Sequence, residues 1–314
     1  MPTAVSPRFG VEIEFLGAPR DVVTRALTDA GIPAAEEDYN HRTRDYWKVI
    51  TDSSCGYEMV SPPLYWHQRL VIRQAMRVAR QVGADVNVDC GLHVHHEWPW
   101  DTVLTPAVRD ERLTAIRRLY RATEPLLRVL LPPSRWEENR FCRFSPIGAP
   151  ARPRCPHCNM VDCGWCADCD AHSEDWDNDA DYCCPHFERD SDGEPYSEQN
   201  LPRRDPNSRS EDLYGDRYQA VNFQSLGKYH TVEFRQHQGT LNPTKALAWV
   251  EFTRNVTHAA SRHEVAPSEA YGFVFDKLST STDRHFRQRC ADAGFDFDDL
   301  VAAGAAKADE VFAD

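Results

Sequence analysis

The sequence predicts an α+β fold, an antiparallel sheet backed by helices with a small cysteine-rich insert, on three observations. Several short segments alternate apolar and charged residues with a period of two, the pattern of half-buried strands. Others place apolar residues at helical spacing. The composition also changes sharply near residue 150 and recovers near 214. Residues 1–150 and 214–314 therefore read as one domain, and residues 151–213 as an acidic insert and linker.

In chain order, "RFGVEIEFLG" alternates Val11, Ile13 and Phe15 with Glu12 and Glu14, which predicts a strand with an apolar face and an acidic face. "RDVVTRALTDAG" follows at helical spacing, with Gly31 as its C-terminal stop. "YWKVITDSS" and "YEMVSPPL" read as two short strands joined by a turn around Ser53 to Gly56. A helix from about Tyr65 to Gln81 ends at Gly83. "ADVNVDCGLHVHHEW" reads as a strand broken at Gly91, and a long helix from about Thr105 to Leu131 is closed by Pro132 and Pro133. Beyond the insert, "DRYQAVNFQSL" and "TVEFRQHQGTLN" read as an antiparallel hairpin turning near Gly227. Asn242 caps a helix with Pro243 at its first position, and the last 50 or so residues are helical.

At 314 residues the chain is long enough to bury a substantial core. Its net charge of -13 is unevenly spread: residues 151–200 hold 13 acidic against 3 basic residues, so the acidity belongs to the insert. No broad basic patch suited to gripping duplex nucleic acid through its phosphates is present. With no signal-like start and no long apolar run, the expectation is a cytoplasmic protein that does not enter a membrane. Of the 11 cysteines, Cys55, Cys90, Cys142 and Cys290 are scattered singly, and the other seven fall between positions 155 and 184. In a chain without an export signal, such clustering argues for a metal and against a disulfide framework.

Three strands repeat one design. Glu12 and Glu14 share a face, His93 and His95 in "GLHVHHEW" share a face, and in "TVEFRQHQGTLN" the period of two sends Glu233, Arg235 and His237 to one side. Glu58 in "GYEMVSP" is a fourth contributor. His96 points the other way. On any single strand the plain reading is a half-solvated sheet with ordinary charges outside. Taken together, carboxylates and imidazoles converging from separate strands form the ligand set of Mg2+ or Mn2+. An arginine two residues from such a Glu suits a phosphoryl group.

"FGVEIEF", "YEMVSP", "GLHVHH", "RYQAVN" and "TVEFRQHQGTLN", in this order, resemble the amidoligase family, a branch of the glutamine synthetase and glutamate-cysteine ligase superfamily of carboxylate-amine ligases. The resemblance implies a curved antiparallel sheet, a partial barrel of the glutamine synthetase kind, whose polar face holds ATP and divalent metals. It implies an ADP-forming ligase that makes an amide or peptide bond through an acyl phosphate. By the same resemblance, Glu12, Glu14, Glu58, His93 and Glu233 hold Mg2+ or Mn2+, and His95 and Arg235 meet phosphate oxygens. Arg217, Asn222 and Arg140 contact the nucleotide or the acceptor. For His237, a site role and a buried imidazole satisfied by a backbone carbonyl both stand. Alternatives are a phosphagen-type kinase on the same fold and a zinc-dependent protein-binding module with a decayed active site. A metallohydrolase built on His93, His95 and Glu97 ranks below these, because "HVHHE" lacks the helical H-E-x-x-H spacing.

The insert carries Cys155, Cys158, Cys163, Cys166 and Cys169 with repeated two-residue spacers, then Cys183, Cys184 and His186. A two-residue spacer lets two thiolates reach one tetrahedral ion, so a structural Zn2+ is expected, with an iron-sulfur cluster as the alternative. Spacing does not group the ligands. The resemblance does not require such an insert. Its expected role is to shape the acceptor side of the site or to dock a basic protein or peptide bearing the carboxylate or the amine.

Overall fold

Seven strands in the computed structural model form one open sheet in the order β2-β3-β4-β1-β5-β7-β6. The structure describes residues 7–98, 106–136, 139, 142, 218–260 and 265–313. The strands are β1 (Phe9–Phe15), β2 (Ala34–Glu36), β3 (Trp47–Asp52), β4 (Gly56–Val60), β5 (Gly91–Glu97), β6 (Val221–Asn222) and β7 (Thr231–Gln238). Among the described residues there are nine α-helices: α1 (Arg20–Asp29), α2 (Leu70–Gln81), α3 (Pro106–Ala122), α4 (Glu124–Leu130), α5 (Ser225–Tyr229), α6 (Pro243–Ala259), α7 (Pro267–Asp276), α8 (Thr280–Asp292) and α9 (Phe297–Ala313).

The α+β class stands, with three differences from the sequence reading. The sheet is mixed, because the edge strand β2 runs parallel to β3 while every other pair is antiparallel. β2 is three residues long, too short to show a period. The predicted helix 105–131 is two helices broken at Thr123, because Pro125 in the first turn of α4 has no N–H to continue the ladder of α3. The predicted turn near Gly227 is the short helix α5, closed by His230 in the left-handed region (φ 55°), and β6 contributes only two residues to the hairpin.

Period-two alternation decides the two faces. Val11 and Ile13 of β1, Leu92 and Val94 of β5, and Val232 and Phe234 of β7 are all buried under helices. α6 lies centrally there: eleven of its residues are buried, including Glu251, the pattern of a helix covered on several sides. Tyr120 of α3 packs against Phe234, Trp249 and Phe252, with ring centroids 5.4, 6.3 and 6.3 Å apart. The Glu251 carboxylate is satisfied by Ser279 N at 2.8 Å, Ser279 Oγ at 2.7 Å and the Thr282 hydroxyl, which ties the start of α8 to α6. Asn242 caps α6, its side chain accepting from Thr244 N and Lys245 N, as the sequence predicts. No helix among the described residues is long and apolar enough to cross a membrane.

α9 meets α7 and α3 across Gly304, where an added Cβ would strike the Tyr271 ring and come within 2.9 Å of Ala122 O. Alanine is the better helix former by about 1 kcal/mol, but overpacking a filled contact costs about 1–3 kcal/mol. Gly304→Ala is therefore expected to lower the urea unfolding midpoint, and an unchanged or raised midpoint would show that this contact yields.

Candidate active site

The polar face of the sheet is assembled by pairing register. Glu12 of β1 stands opposite Val60 of β4 on one side and His93 of β5 on the other; Glu14 stands opposite Glu58. His95 pairs with Glu233 of β7, and Glu233 with Asn222 of β6. On these four neighbouring strands the side chains of Glu12, Glu14, Glu58, His93, His95, Glu233 and Arg235 converge.

The imidazoles sit among the carboxylates. His93 Nδ1 is 3.2 Å from Glu12 Oε2 and 3.7 Å from Glu233 Oε1, and its Nε2 is 3.6 Å from Glu14 Oε1. His95 Nε2 lies 3.3 Å from Glu12 Oε1 and 3.9 Å from Glu233 Oε1, while its Nδ1 is 3.0 Å from Thr231 Oγ1. Arg235 Nη1 pairs with Glu233 Oε1 at 2.5 Å. Glu14 Oε2 accepts the Gly91 N–H at 2.5 Å. Any side chain at Gly91 would crowd this corner, since its Cβ would lie 2.8 Å from His93 Nε2 and 3.4 Å from both Glu14 oxygens.

β7 does not keep its period. Leu92 pairs with His237 but Val94 with Phe234, so Arg235 and Gln236 together face His93, a bulge with two residues against one. Beyond it the side chains change sides. His237 therefore leaves the face of Glu233 and Arg235, which corrects the alternation read from the sequence, and lies under the sheet with its ring centroid 5.0 Å from Trp249. Its Nδ1–H donates to Gln238 O at 2.6 Å, and burial pushes its pKa down to about 3. The buried, carbonyl-satisfied alternative is the one realised. Gln236 points to the same helical side, accepting from Tyr120 Oη at 2.8 Å and donating to Arg135 O at 3.1 Å. His96 also faces the helices, 2.8 Å from Thr253 Oγ1.

Burial and mutual charge set the ionisation of the polar face. Burial opposes ionisation of Glu12, but His95 and His93 outweigh it and hold the carboxylate well below its usual pKa. Burial likewise opposes Glu233, and Arg235, His95 and His93 together bring it below the ordinary value. Glu58 goes the other way: burial first, then Glu12 and Glu14, push it well above the carboxylate range. Burial works against the Arg235 charge, yet Glu233 and Glu12 hold its pKa above the ordinary value.

Two ligand triads share Glu12, namely Glu12/His95/Glu233 and Glu12/Glu58/His93, with donor atoms all within 4.8 Å of one another. Among the described residues, His95 Nε2 is buried without a hydrogen-bond partner although two carboxylates stand within 4 Å. Burial opposes a charge on His95, yet Glu12 and Glu233 hold its pKa above the ordinary value; a cation among these carboxylates would take the place of that proton, so the donor set fits one or two hard divalent ions. Glu14 lies beside the triads and belongs to neither.

Lys48 is a member of this face that the sequence reading passed over. It is buried and opposite Val60, and its Nζ donates to Asn40 O at 3.0 Å and Oδ1 at 3.4 Å. Burial lowers its pKa, against the pull of Glu37, Glu12 and Glu58. The alternation in "YWKVIT" was the available signal, but only the register places Lys48 near the acids. Tyr229 closes the other flank, edge-on to His95 with centroids 6.2 Å apart. Asn222 is engaged at both ends: Nδ2 donates to Glu233 Oε2 at 2.7 Å and Oδ1 accepts from Gln224 N at 2.9 Å, which orients Glu233. Arg140, Arg217 and the candidate zinc ligands Cys155, Cys158, Cys163, Cys166, Cys169, Cys183, Cys184 and His186 lie outside the described residues. Cys55 and Cys90, read from the sequence as isolated, are joined in a disulfide that links the β3–β4 turn to the residue before β5.

The family model described as "Putative amidoligase enzyme" matches residues 6–147 and 167–257. The matched segments contain all seven strands and every residue named on the polar face. They leave out 148–166, with Cys155, Cys158, Cys163 and Cys166, and resume inside the insert before Cys169. A search of curated proteins finds no match.

The raised Glu58 and depressed Glu12 and Glu233 have opposite linkage. A carboxyl with a folded pKa above its unfolded value costs stability as pH rises past the unfolded value near 4.5, by about 1.4 kcal/mol for each unit of difference. Depressed carboxylates contribute stability above the unfolded value, and it is lost as pH falls through the folded one. Glu58→Gln is thus expected to raise the unfolding midpoint of the metal-free protein at pH 7 and Glu233→Gln to lower it. Equal shifts of the same sign in urea titrations would contradict this electrostatic arrangement.

Proposed function

The chain belongs to the amidoligase family, and on that premise we propose that it is an ATP-dependent, ADP-forming ligase joining a carboxylate to an amine through an acyl phosphate. The observation that carries this reading is the buried cluster of Glu12, His93, His95 and Glu233 with Arg235 at its edge. It offers metal ligands and a phosphate-binding fork on one sheet face, and no nucleophilic side chain among the groups that converge there. The sheet itself would be the partial barrel of glutamine synthetase-like ligases, with ATP on its polar face.

In this reading a carboxylate oxygen of the first substrate attacks the γ-phosphorus of ATP, the bond to the β-phosphate bridging oxygen breaks, and ADP leaves. The amine then attacks the acyl carbon, the bond to phosphate breaks, and the amine proton leaves with the phosphate. Glu12, Glu58, His93 and Glu233, with Glu14 beside them, would hold Mg2+ or Mn2+. Such an ion, when bound, neutralises phosphate charge and lowers the cost of bringing two anions together. Arg235 and His95 would meet phosphate oxygens. Glu233 fixes Arg235 through their ion pair, and Asn222 fixes Glu233, so the fork is held in place before substrate arrives. Arg140 and Arg217 would complete the nucleotide or acceptor contacts. The carboxylate and amine substrates are small or borne on a peptide or polymer, and the setting is cytoplasmic.

The insert adds a structural Zn2+ held by ligands drawn from its seven cysteines and His186, and its acidity suits a basic peptide or protein partner. Supporting this are the two-residue spacers, which match thiolate zinc sites. Metal analysis of the purified chain is expected to find at least one zinc per chain, reduced by Cys155→Ser with Cys158→Ser. A zinc-free, folded chain would remove the assignment.

Hydroxylamine can replace the amine and avoid the need to know it. With ATP, Mg2+ and pooled carboxylic acids, the protein is expected to form hydroxamate together with ADP. Glu233→Gln and Arg235→Ala should each lower the rate by about 10²-fold or more. AMP in place of ADP would replace the acyl phosphate with an acyl adenylate, and phosphorylated product without hydroxamate would favour a kinase.

A further inference from the structure

On the helical side of the sheet, away from the carboxylates, β7, α6 and α8 enclose a second polar cleft. Its lining includes His237, Gln238, Lys245, Trp249, His285 and Arg289. Lys245, His285 and Arg289 are half-buried. Among the described residues the charges acting on Lys245 and His285 are cationic, from Arg289 and, for His285, also from Lys245, with no carboxylate among them. Arg289 makes one long contact, Nη2 to Leu130 O at 3.5 Å. Positive charge is thus concentrated where neighbouring groups repel it.

One buried polar atom of the lining residues on this side lacks a partner among the described residues: the indole Nε1 of Trp249, a residue only 2 % exposed. An indole N–H is a donor only. His237 adds an acceptor, because its Nδ1–H is spent on Gln238 O and its Nε2 carries the lone pair. The cleft is narrow, with about 20 Å³ of room. That admits one ligand oxygen while the rest of the ligand stands at the mouth. A single buried water would satisfy Trp249 and His237 but would leave Lys245 and Arg289 without a counter-charge among the described residues.

We propose that this cleft binds the hydrogen phosphate ion, its hydroxyl entering to donate to His237 Nε2 and accept from Trp249 Nε1–H, and its charged oxygens accepting from Lys245 and Arg289 at the mouth. Phosphate fits this donor and acceptor mixture, whereas sulfate, equally tetrahedral and anionic, has no proton to give at neutral pH. Methyl phosphate is mostly a dianion without a hydroxyl at that pH and shares sulfate's defect. The assignment stands apart from the ligase reading, since it uses none of the residues of the polar face.

The test is calorimetric titration of the full chain at pH 7 with inorganic phosphate, sulfate and methyl phosphate in turn, without ATP or divalent ions. Saturable phosphate binding is expected, at least tenfold tighter than either comparator. It should persist in Arg235→Ala and weaken at least tenfold in Arg289→Met and Lys245→Met, which keep much of each aliphatic stem. Trp249→Phe tests the indole N–H, and the two Met variants carry the test should that protein not fold. Equal binding of sulfate or methyl phosphate would overturn the hydrogen phosphate assignment. Loss in Arg235→Ala alone would move the site to the polar face, and absence of saturable binding would leave the cleft to water.

Discussion

Four carboxylates on neighbouring strands, three of them less than a tenth exposed, can share one sheet face only if positive charge stands among them. Here the charge is supplied unevenly. Arg235, His93 and His95 hold Glu12 and Glu233 ionised, while burial, and after it the charges of Glu12 and Glu14, push Glu58 toward its neutral form. Lys48 stands close enough to be held up by Glu12 and Glu58, but its hydrogen bonds go to Asn40. The face is therefore underneutralised, the condition under which a hard divalent cation gains most by entering. Among the described residues the Nε2 of His95 has no hydrogen-bond partner, with Glu12 and Glu233 within 4 Å of it.

The β7 bulge gives that strand two different tasks. Up to its first residue, Glu233 and Arg235 stand on the polar face; after it, His237 joins Gln236 and His96 among the buried polar groups under the sheet. The helices take up this polarity by specific pairing: Thr253 meets His96, Tyr120 meets Gln236, and Arg135 O accepts from Gln236. A buried polar group left without a partner costs about 1–3 kcal/mol, so these contacts fix how α3 and α6 seat on the sheet as much as the aromatic packing around Trp249 does. Among the described residues, the cleft with Trp249 Nε1 is the place where this pairing stops short.

The strand, helix, hairpin, helix, strand order of the first hundred residues was legible from periodicity, because a half-buried strand and an amphipathic helix impose different spacings on their apolar residues. So were the helix ends at Gly31 and Gly83, both in the left-handed region, and the Asn242 cap. The convergence of Glu12, Glu14, Glu58, His93, His95, Glu233 and Arg235 on one face was also readable, strand by strand. Membership of the amidoligase family follows from the ordered motifs. The three-residue β2 and the split of α3 from α4 were not readable in the same way: the first has too few residues for a period, and the second continues an apolar pattern that only Pro125 interrupts.

By itself, then, the sequence determined which residues could share a strand face and where the regular elements begin and end, because those are local matters of sterics and spacing. The tertiary structure decided what pairs with what. Register set Lys48 beside the acids, brought Cys55 to Cys90 across 35 positions of chain, and gave Asn222 to Glu233. One extra residue in β7 moved His237 from the site to the core. Alternation counts residues along one chain, whereas a bulge is a mismatch between two, and a mismatch exists only when both strands are in place.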